Sequence, residues 1–308
     1  MLSPSLGVVT AVRNRREHLS ISAALLSRSP RHQRHLIVDW SSEPPLRPSE
    51  LPADPRISLV RVEGERQWWH SRAYNQAIRH CRTDWILRCD ADCLLHPSFF
   101  AALQLRPGTI QVVSLPGGLQ GECQRESTGL IAAPRSSLLA LGGFEPLLVG
   151  WGFEDTDLLE RLFLAGHAVA ALPDVGIEVL SHSDAWRRGD RRGLQLWLPP
   201  RLALEASHTA NRWMAGWCRQ RPGRRDLIDP GPGCIAGLPA EAWDQRQRAL
   251  LAGALAVLIG RYGRRWTARL PIRLVDAAVR LLQLDPLVVP PASPTAADRE
   301  PGGSGPGD

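Results

Sequence analysis

Lysine is missing from this chain of 308 residues, so arginine supplies all 37 of its basic side chains. Aspartate and glutamate together number 31, which gives a formal net charge of +6 and an isoelectric point near 9.5. Guanidinium groups bind phosphate or carboxylate through two parallel hydrogen bonds, and a net positive charge favours an anionic partner. The composition therefore indicates a nucleotide, a phosphorylated substrate, a membrane surface or a nucleic acid, without choosing among them.

A long hydrophobic run is also missing. The longest one, residues 249–260, falls well short of the roughly 20 apolar residues that span a bilayer. Arg246, Arg248 and Arg261 flank it, so it predicts either a buried core helix or a helix lying on anionic lipid, and its length favours the core. The N-terminal apolar stretch is too short for a signal peptide. We expect a cytoplasmic protein, either free or peripheral at the inner face of the membrane.

The cysteines form neither a paired framework nor a Cys-x-x-Cys signature. There are six of them, at positions 81, 89, 93, 123, 218 and 234. Cys89 and Cys93 flank two aspartates, but a zinc site would need two more soft ligands at compatible spacing. Buried free thiols in a reducing compartment are the simpler interpretation.

Several common catalytic motifs do not occur. The chain contains no Gly-x-x-x-x-Gly-Lys loop, no Gly-x-Gly-x-x-Gly, no Gly-x-Ser-x-Gly and no His-Glu-x-x-His. The sequence therefore gives no support to an ATPase, a classical dehydrogenase, a serine hydrolase or a zinc protease.

The first half alternates short apolar strands with helical segments. Strands are predicted at 6–12, 35–40 and 57–62, and a fourth in the stretch DWILRCDADC. This alternation predicts an α/β domain with a largely parallel sheet, in which ligands lie outside the carboxyl ends of the strands. Asp39 and the pair Asp90 and Asp92 stand at such strand ends.

The second half changes in character after residue 185. Basic loops come first, a helical section follows from about Pro239 to Leu284, and residues 286–308 are rich in Pro, Gly, Ser and Ala. We therefore predict a catalytic domain over residues 1–215, a helical C-terminal extension over 216–285 and a disordered tail over 286–308.

Paired carboxylates are the first candidates for chemistry. Asp90 and Asp92, two residues apart at a strand end, can both reach one divalent cation, although aspartate pairs are also common in turns. His182 follows another apolar strand. A lone histidine is more often structural, but beside carboxylates it would shift the metal preference from Mg²⁺ or Ca²⁺ towards Mn²⁺.

The stretch GWGFEDTDLLERLFLAGH, residues 150–167, carries a second set of acids. Asp155 and Asp157 suit a helix start, where negative charge satisfies free N–H groups. An apolar stripe at helical spacing follows and Gly166 ends it. That structural interpretation accounts for the acids but not for the glycines and aromatics that precede them.

Three further groups admit a structural or a ligand-binding interpretation. The arginines of RNRRE, residues 13–17, either begin a solvated helix or hold a diphosphate. Asp39 either caps a turn or binds a ligand. Trp68 and Trp69 either belong to the core, which is the default, or stack on a flat ring.

Taken in order, these segments resemble a known family. VVTAVRNRREHL, LIVDWSS, SRAYNQAIRHCRTDWILRCDADCLL and GGFEPLLVGWGFEDTDLLERLFLAGH are similar to nucleotide-sugar glycosyltransferases of the GT-A fold. The resemblance is to family-2 transferases and to the C-terminal catalytic region of β-1,4-galactosyltransferases, and it spans about residues 6–185. It implies a Rossmann-like, mixed, mostly parallel sheet flanked by helices.

The resemblance also implies roles on the acceptor side and at the metal. Asp155 would be the catalytic base of an inverting transfer, and Trp151 and Glu154 would bind the acceptor. Asp92 and His182 would hold Mn²⁺ or Mg²⁺.

On the donor side, the resemblance implies that a UDP-sugar is bound. Arg13 and Arg15 would hold its diphosphate with Asp90 nearby, and Asp39 and Arg72 would contact the nucleoside. A hexose or N-acetylhexosamine would pass to a hydroxyl of a glycan or another acceptor, as in polysaccharide biosynthesis.

Two departures from the family leave the substrates open. Phe153 stands where the galactosyltransferases often have a second glycine, and the segment before Thr128 and Gly129 is not recognisably theirs. The alternatives are a sugar nucleotidyltransferase, which usually has a Gly-rich loop after its first strand, and a non-catalytic glycan- or nucleotide-binding module. A nucleic-acid partner is not expected, because the arginines lie in loops without interleaved aromatics.

Overall fold

The computed structural model describes residues 4–113, 129–183, 199–220 and 240–262. The predicted tail, residues 263–285 of the predicted extension, residues 114–128, Cys123 and Cys234 lie outside these ranges. Nine strands are described: β1 Leu6–Val12, β2 Arg34–Trp40, β3 Ile57–Val62, β4 Trp85–Arg88, β5 Cys93–Leu95, β6 Thr109–Val112, β7 Ile131–Pro134, β8 Ala168–Ala171 and β9 Ile177–Val179. Seven α-helices are described with them: α1 Arg16–Leu26, α2 His70–His80, α3 Pro97–Ala102, α4 Arg135–Ala140, α5 Glu154–Leu164, α6 Pro200–Arg219 and α7 Ala240–Tyr262.

Seven of these strands form one mixed sheet in the order β3-β2-β1-β4-β7-β6-β8. Neighbours are parallel except where β7 pairs with β4 and β6. β5 and β9 form a separate antiparallel pair. The predicted α/β class with a mixed, mostly parallel sheet is therefore confirmed, and the four strands expected from the first half are all present.

The core lies on both faces of the sheet because successive side chains of a strand point in opposite directions. Val9 of β1 packs with Ala73 and Tyr74 of α2 on one face, whereas Val8 packs with Phe99 of α3 on the other. β1 is buried along its whole length, as expected for a parallel strand covered on both sides.

Helices α6 and α7 pack against each other and extend the first of these cores. Gly253 of α7 faces Ala206 of α6 so closely that an added Cβ would lie 2.6 Å from the Ala206 carbonyl oxygen. Ala249, Ala252 and Ala254 are buried, which favours the core interpretation of the 249–260 run over the lipid one. Arg246 is also buried rather than part of a basic flank. None of the helices in the described ranges is long and apolar enough to cross a membrane.

The domain boundary predicted at 215/216 falls inside α6, which continues without a break to Arg219. Of the described cysteines, Cys81, Cys89 and Cys93 are buried and Cys218 is half-buried, all as free thiols.

Candidate active site

The first acidic pair lies at the carboxyl end of the central strand β4. β4 is hydrogen-bonded between β1 and β7, and the Cys89 amide continues the ladder by donating to the Val9 carbonyl at 3.0 Å. The chain then turns, and the Cys93 amide donates to the Asp90 carbonyl at 3.1 Å as β5 begins. Asp90 and Asp92 therefore stand at the ligand-facing edge of the sheet, where the sequence predicts them.

His182 meets Asp92 because β9 pairs with β5. The Leu180 amide donates to the Asp92 carbonyl at 2.8 Å, and His182 Nε2 lies 2.6 Å from Asp92 Oδ2. Beside this pair is an open cavity of about 500 Å³, whose wall includes Arg15, His18 and His182. Within the described part of the chain, no three His, Cys, Asp or Glu side chains are grouped to hold a metal ion by themselves.

Arg13 and Arg72 converge on Glu65 rather than on that cavity. The Arg13 guanidinium donates to the Glu65 carbonyl at 2.6 Å, and Arg72 forms an ion pair with the Glu65 carboxylate at 2.9 Å. Arg72 also lies over the rings of Trp40 and Trp69. Trp69 is fully buried, so its core interpretation is confirmed.

Asp39, at the end of β2, is fully buried and holds the loop that follows. Its carboxylate accepts from the amides of Ser42 and Leu46, each at 3.0 Å, and forms an ion pair with Arg61 at 2.5 Å. The structure thus uses Asp39 to shape the turn beside the predicted nucleoside site.

The second acidic pair begins α5 after a loop of unusual backbone. Gly150 and Gly152 have φ of 100° and 91°, and Phe153 has φ of 73°. The left-handed region favours glycine, so Phe153 is an unusual residue type for this backbone conformation. The loop ends in Glu154 and Asp155 in the first turn of α5.

Two late helices hold this loop. Ser207 Oγ of α6 accepts from the Trp151 amide at 2.9 Å, and the Asn211 side-chain amide donates to the Gly152 carbonyl at 2.8 Å. Arg246 of α7 donates to Asn211 Oδ1 at 3.1 Å and to the Val149 carbonyl at 2.5 Å. The C-terminal helices are therefore part of the site.

Arg88 joins the two acidic pairs. Its guanidinium contacts both carboxylate oxygens of Asp90 at 2.9 Å and forms an ion pair with Asp155 at 2.9 Å. Sequence reasoning missed Arg88, although its place two residues before Asp90 puts both side chains on one face of an extended chain. It also missed His70 and Tyr74, which contact the same guanidinium.

Burial changes the protonation of the second pair. It raises the pKa of Glu154 to about 7, with the Asp155 charge adding to the rise. It raises the pKa of Asp155 to about 6, where Arg88 acts to lower that pKa and Asp90 to raise it. The N-terminus of a helix favours an ionised carboxylate. Burial opposes this, yet a pKa near 6 still leaves Asp155 mostly ionised at neutral pH.

Two adjoining segments of the chain match family models. Residues 36–106 match the model described as Glycosyl transferase family 2, and residues 113–183 match the one described as N-terminal domain of galactosyltransferase. No curated protein matches the chain. The resemblance drawn from the sequence is confirmed over these two segments, which match glycosyltransferase models of the family-2 and galactosyltransferase kind.

Among solved structures, one similar chain is the mannosyltransferase PcManGT from Pyrobaculum calidifontis, in complex with GDP-Man and Mn²⁺. It is 17% identical at a TM-score of 0.48, with 91% of this chain and 81% of that chain covered. The catalytic domain of Drosophila β1,4-galactosyltransferase 7 with xylobiose is 13% identical at a TM-score of 0.46, covering 65% and 80%. S. aureus TarS 1–349 is 11% identical at a TM-score of 0.43, covering 90% and 91%.

Proposed function

We propose that this glycosyltransferase domain moves a hexose or N-acetylhexosamine from a UDP-sugar to a hydroxyl of a glycan or another acceptor, with inversion at the anomeric carbon. The observation that carries the proposal is the meeting of two acidic pairs at one place. Asp90 at the end of β4 and Asp155 at the start of α5 contact the same guanidinium of Arg88. A donor at the strand end would therefore lie next to a carboxylate able to accept a proton.

Asp155 is the proposed base. It would take the proton of the acceptor hydroxyl while that oxygen forms its bond to the anomeric carbon and the bond to the nucleoside diphosphate breaks. Its pKa of about 6 is suited to this task, because a base with a pKa just below the working pH is mostly ionised and still basic. Trp151 and Glu154, on either side of Phe153, would bind the acceptor.

Asp92 and His182 fit a divalent cation. A carboxylate oxygen and an imidazole nitrogen 2.6 Å apart, beside an open cavity, supply two ligands of a kind that suits Mn²⁺ better than Ca²⁺. Oxygens of the donor and water would complete the set. Such an ion would neutralise charge on the departing nucleoside diphosphate, and Mg²⁺ is the alternative ion.

The donor is proposed to extend from this pair along the strand ends. Arg15, which lines the cavity beside His182, would contact the diphosphate. Arg13 would act less directly, because its guanidinium is engaged with main-chain carbonyls. Asp39 and Arg72 would form the sides of the nucleoside site. Asp39 would do so through the loop that it holds, and Arg72 through the tryptophan rings that it covers.

Calorimetric titration of UDP into the protein, first with Mn²⁺ and then with chelator, tests the proposal. We expect binding that requires the metal, followed by hydrolysis or transfer of one UDP-sugar in a screen. Binding of a different nucleotide would change the donor assignment. No binding of any nucleotide would favour a non-catalytic module of the same fold.

A cytoplasmic location, with peripheral contact to anionic membrane, also remains a proposal. The burial of Arg246 weakens the basic flank on which membrane contact was based. Co-sedimentation with anionic vesicles at low salt tests the contact, and a protein that stays in the supernatant would reject it.

A further inference from the structure

Arg88 is a buried charged residue that contacts side chains or backbone from several neighbouring elements. Its side chain is 6% exposed. Besides Asp90 and Asp155, it contacts His70 Nε2 at 2.6 Å and the carbonyl of Gly129, and it lies 4.7 Å above the Tyr74 ring. An arginine is always a donor, so His70 Nε2 accepts and the other ring nitrogen faces Glu154 Oε1, 3.9 Å away.

The chain also keeps space for this guanidinium. A Cβ at Gly129 would collide with Arg88 Nη1 and would lie 2.7 Å from Asp90 Oδ2. Tyr74 completes the enclosure by donating its hydroxyl to Asp90 Oδ1 at 2.6 Å. The position of the guanidinium is therefore determined by α2, β4 and the segment before β7 together.

The charge balance requires one cation here. Asp90, Glu154 and Asp155 bring three carboxyl groups together, of which Glu154 is buried and the other two are half-buried. A carboxylate with reduced access to water is costly unless it is paired. Arg88 is the one guanidinium described in direct contact with both Asp90 and Asp155. Asp90 is the more exposed of the two partners, with 38% of its side chain accessible against 27% for Asp155.

We propose that Arg88 is the positioning residue for the base: its guanidinium holds the Asp155 carboxylate ionised and directed, between Asp90 on the donor side and Glu154 on the acceptor side. This inference rests on the proposed function, because it assigns Arg88 to the base of that reaction. Arg88 acts through Asp155 and is not itself the group that accepts the proton.

The surroundings of Asp155 support this role. Arg88 and Asp90 face it from β4 and the turn beyond, and Glu154 precedes it on α5. From α2, His70 faces Glu154 and Tyr74 donates to Asp90. Burial and Asp90 raise the pKa of Asp155, while Arg88 lowers it. Burial lowers the pKa of the Arg88 guanidinium, whereas the charges of Asp155 and Asp90 raise it. Together the charges have the larger effect, so the net change in that pKa is upward.

Two measurements on the same variants test the proposal. The first follows the carboxyl carbon of Asp155 by NMR through a pH titration, with the signal assigned from its loss in Asp155→Asn. The second is the pH profile of kcat with the UDP-sugar found in the screen. The variants are Arg88→Met, Arg88→Lys and Arg88→Gln, and the matched control is Arg161→Gln, which removes an ion pair from the same helix at Asp157.

In Arg88→Met we expect the Asp155 midpoint and the acid limb of kcat to move up together by about one pH unit or more. At high pH kcat should recover much of its wild-type value, because the base is then ionised without help. Arg88→Lys should lie between wild type and Arg88→Met, and Arg161→Gln should leave both midpoints in place.

A folded Arg88→Met protein with both midpoints unchanged would overturn the proposal. If that variant does not fold, Arg88→Gln decides, since it is neutral but can still donate to Gly129 and Asp155. A wild-type protein that turns over no nucleotide-sugar would reject the proposed function. The NMR midpoint would then still show whether Arg88 controls Asp155, so the two failures are distinguishable.

Discussion

Asp90 and Asp92 stand on a turn between two short strands, whereas Glu154 and Asp155 begin a helix after a loop that packs on the C-terminal helices. The first pair is held by backbone hydrogen bonds to its neighbours, among them Cys93 to Asp90 and Leu180 to Asp92. The loop before the second pair is held by side chains of Ser207, Asn211 and Arg246. The proposed donor side is therefore built by the sheet and the proposed acceptor side by residues distant in sequence, so we expect the two to respond differently to mutation.

The largest expected effect is the loss of kcat when the proposed base is replaced. Asp155→Asn should lower kcat by about 10²–10⁴-fold, the usual contribution of a general base, while UDP affinity stays near the wild-type value. Glu160→Gln on the exposed face of the same helix is the control and should transfer normally. Unchanged turnover in Asp155→Asn would remove the base assignment.

Replacing the proposed metal ligands should instead weaken UDP binding. Asp92→Ala and His182→Ala should each weaken Mn²⁺-dependent UDP binding by at least about 10–100-fold, the loss that follows removal of a residue that only orients a metal ligand. Calorimetry at several Mn²⁺ concentrations measures this. His96→Ala serves as the control, because His96 pairs with Glu178 at the far end of the β5–β9 ladder. If both variants kept the wild-type dependence on divalent ion, Asp92 and His182 would not share a metal.

Arg246→Met tests how far α7 stabilises the loop of residues 149–153, which precedes α5. It removes buried hydrogen bonds to Val149 and Asn211, and a hydrogen bond to a charged group contributes about 1.5–3 kcal/mol. We expect a loss of roughly that size in the free energy of unfolding and a fall in kcat on the order of tenfold, with UDP affinity retained.

The control for Arg246→Met is Arg201→Met. Arg201 is 76% exposed and pairs with Glu205 on the surface of α6, so its loss should cost less than about 1 kcal/mol. An equal loss of UDP affinity in Arg246→Met would mean that the helices support the donor side as well.

The smallest expected effect concerns the packing of α6 and α7 themselves. Gly253→Ala would place a Cβ 2.6 Å from the Ala206 carbonyl, and such overpacking costs about 1–3 kcal/mol. Gly216→Ala in α6 meets nothing within 4 Å and should stabilise the protein by up to about 1 kcal/mol, the difference in helix propensity. Thermal unfolding of both variants measures this difference, and equal melting temperatures would contradict the close approach.

Local pattern was enough to predict the first four strands and the acids at strand ends. The apolar runs before Asp39 and Asp90 identify strands, and a strand that ends at a sheet edge places the next residues at that edge. Asp92 and His182 were paired through the family resemblance. The structure brings them together through the antiparallel ladder of β5 and β9.

Arg88 could have been inferred from its spacing to Asp90, but its contact with Asp155 could not. These two residues lie on different elements, and only packing brings them within 2.9 Å. The contact of Arg246 with Val149 was still harder to predict, because the two residues are 97 positions apart. In addition, the sequence of a basic stretch does not show which of its arginines is buried.

The sequence by itself determined where strands end, where α5 begins and which residue types stand there, because backbone periodicity and capping act over a few neighbouring residues. Only the tertiary structure decided that one arginine contacts both acidic pairs, that burial raises the pKa of Asp155, and that the C-terminal helices hold the loop before α5. Those outcomes depend on desolvation and on contacts between residues tens of positions apart, which no local pattern records.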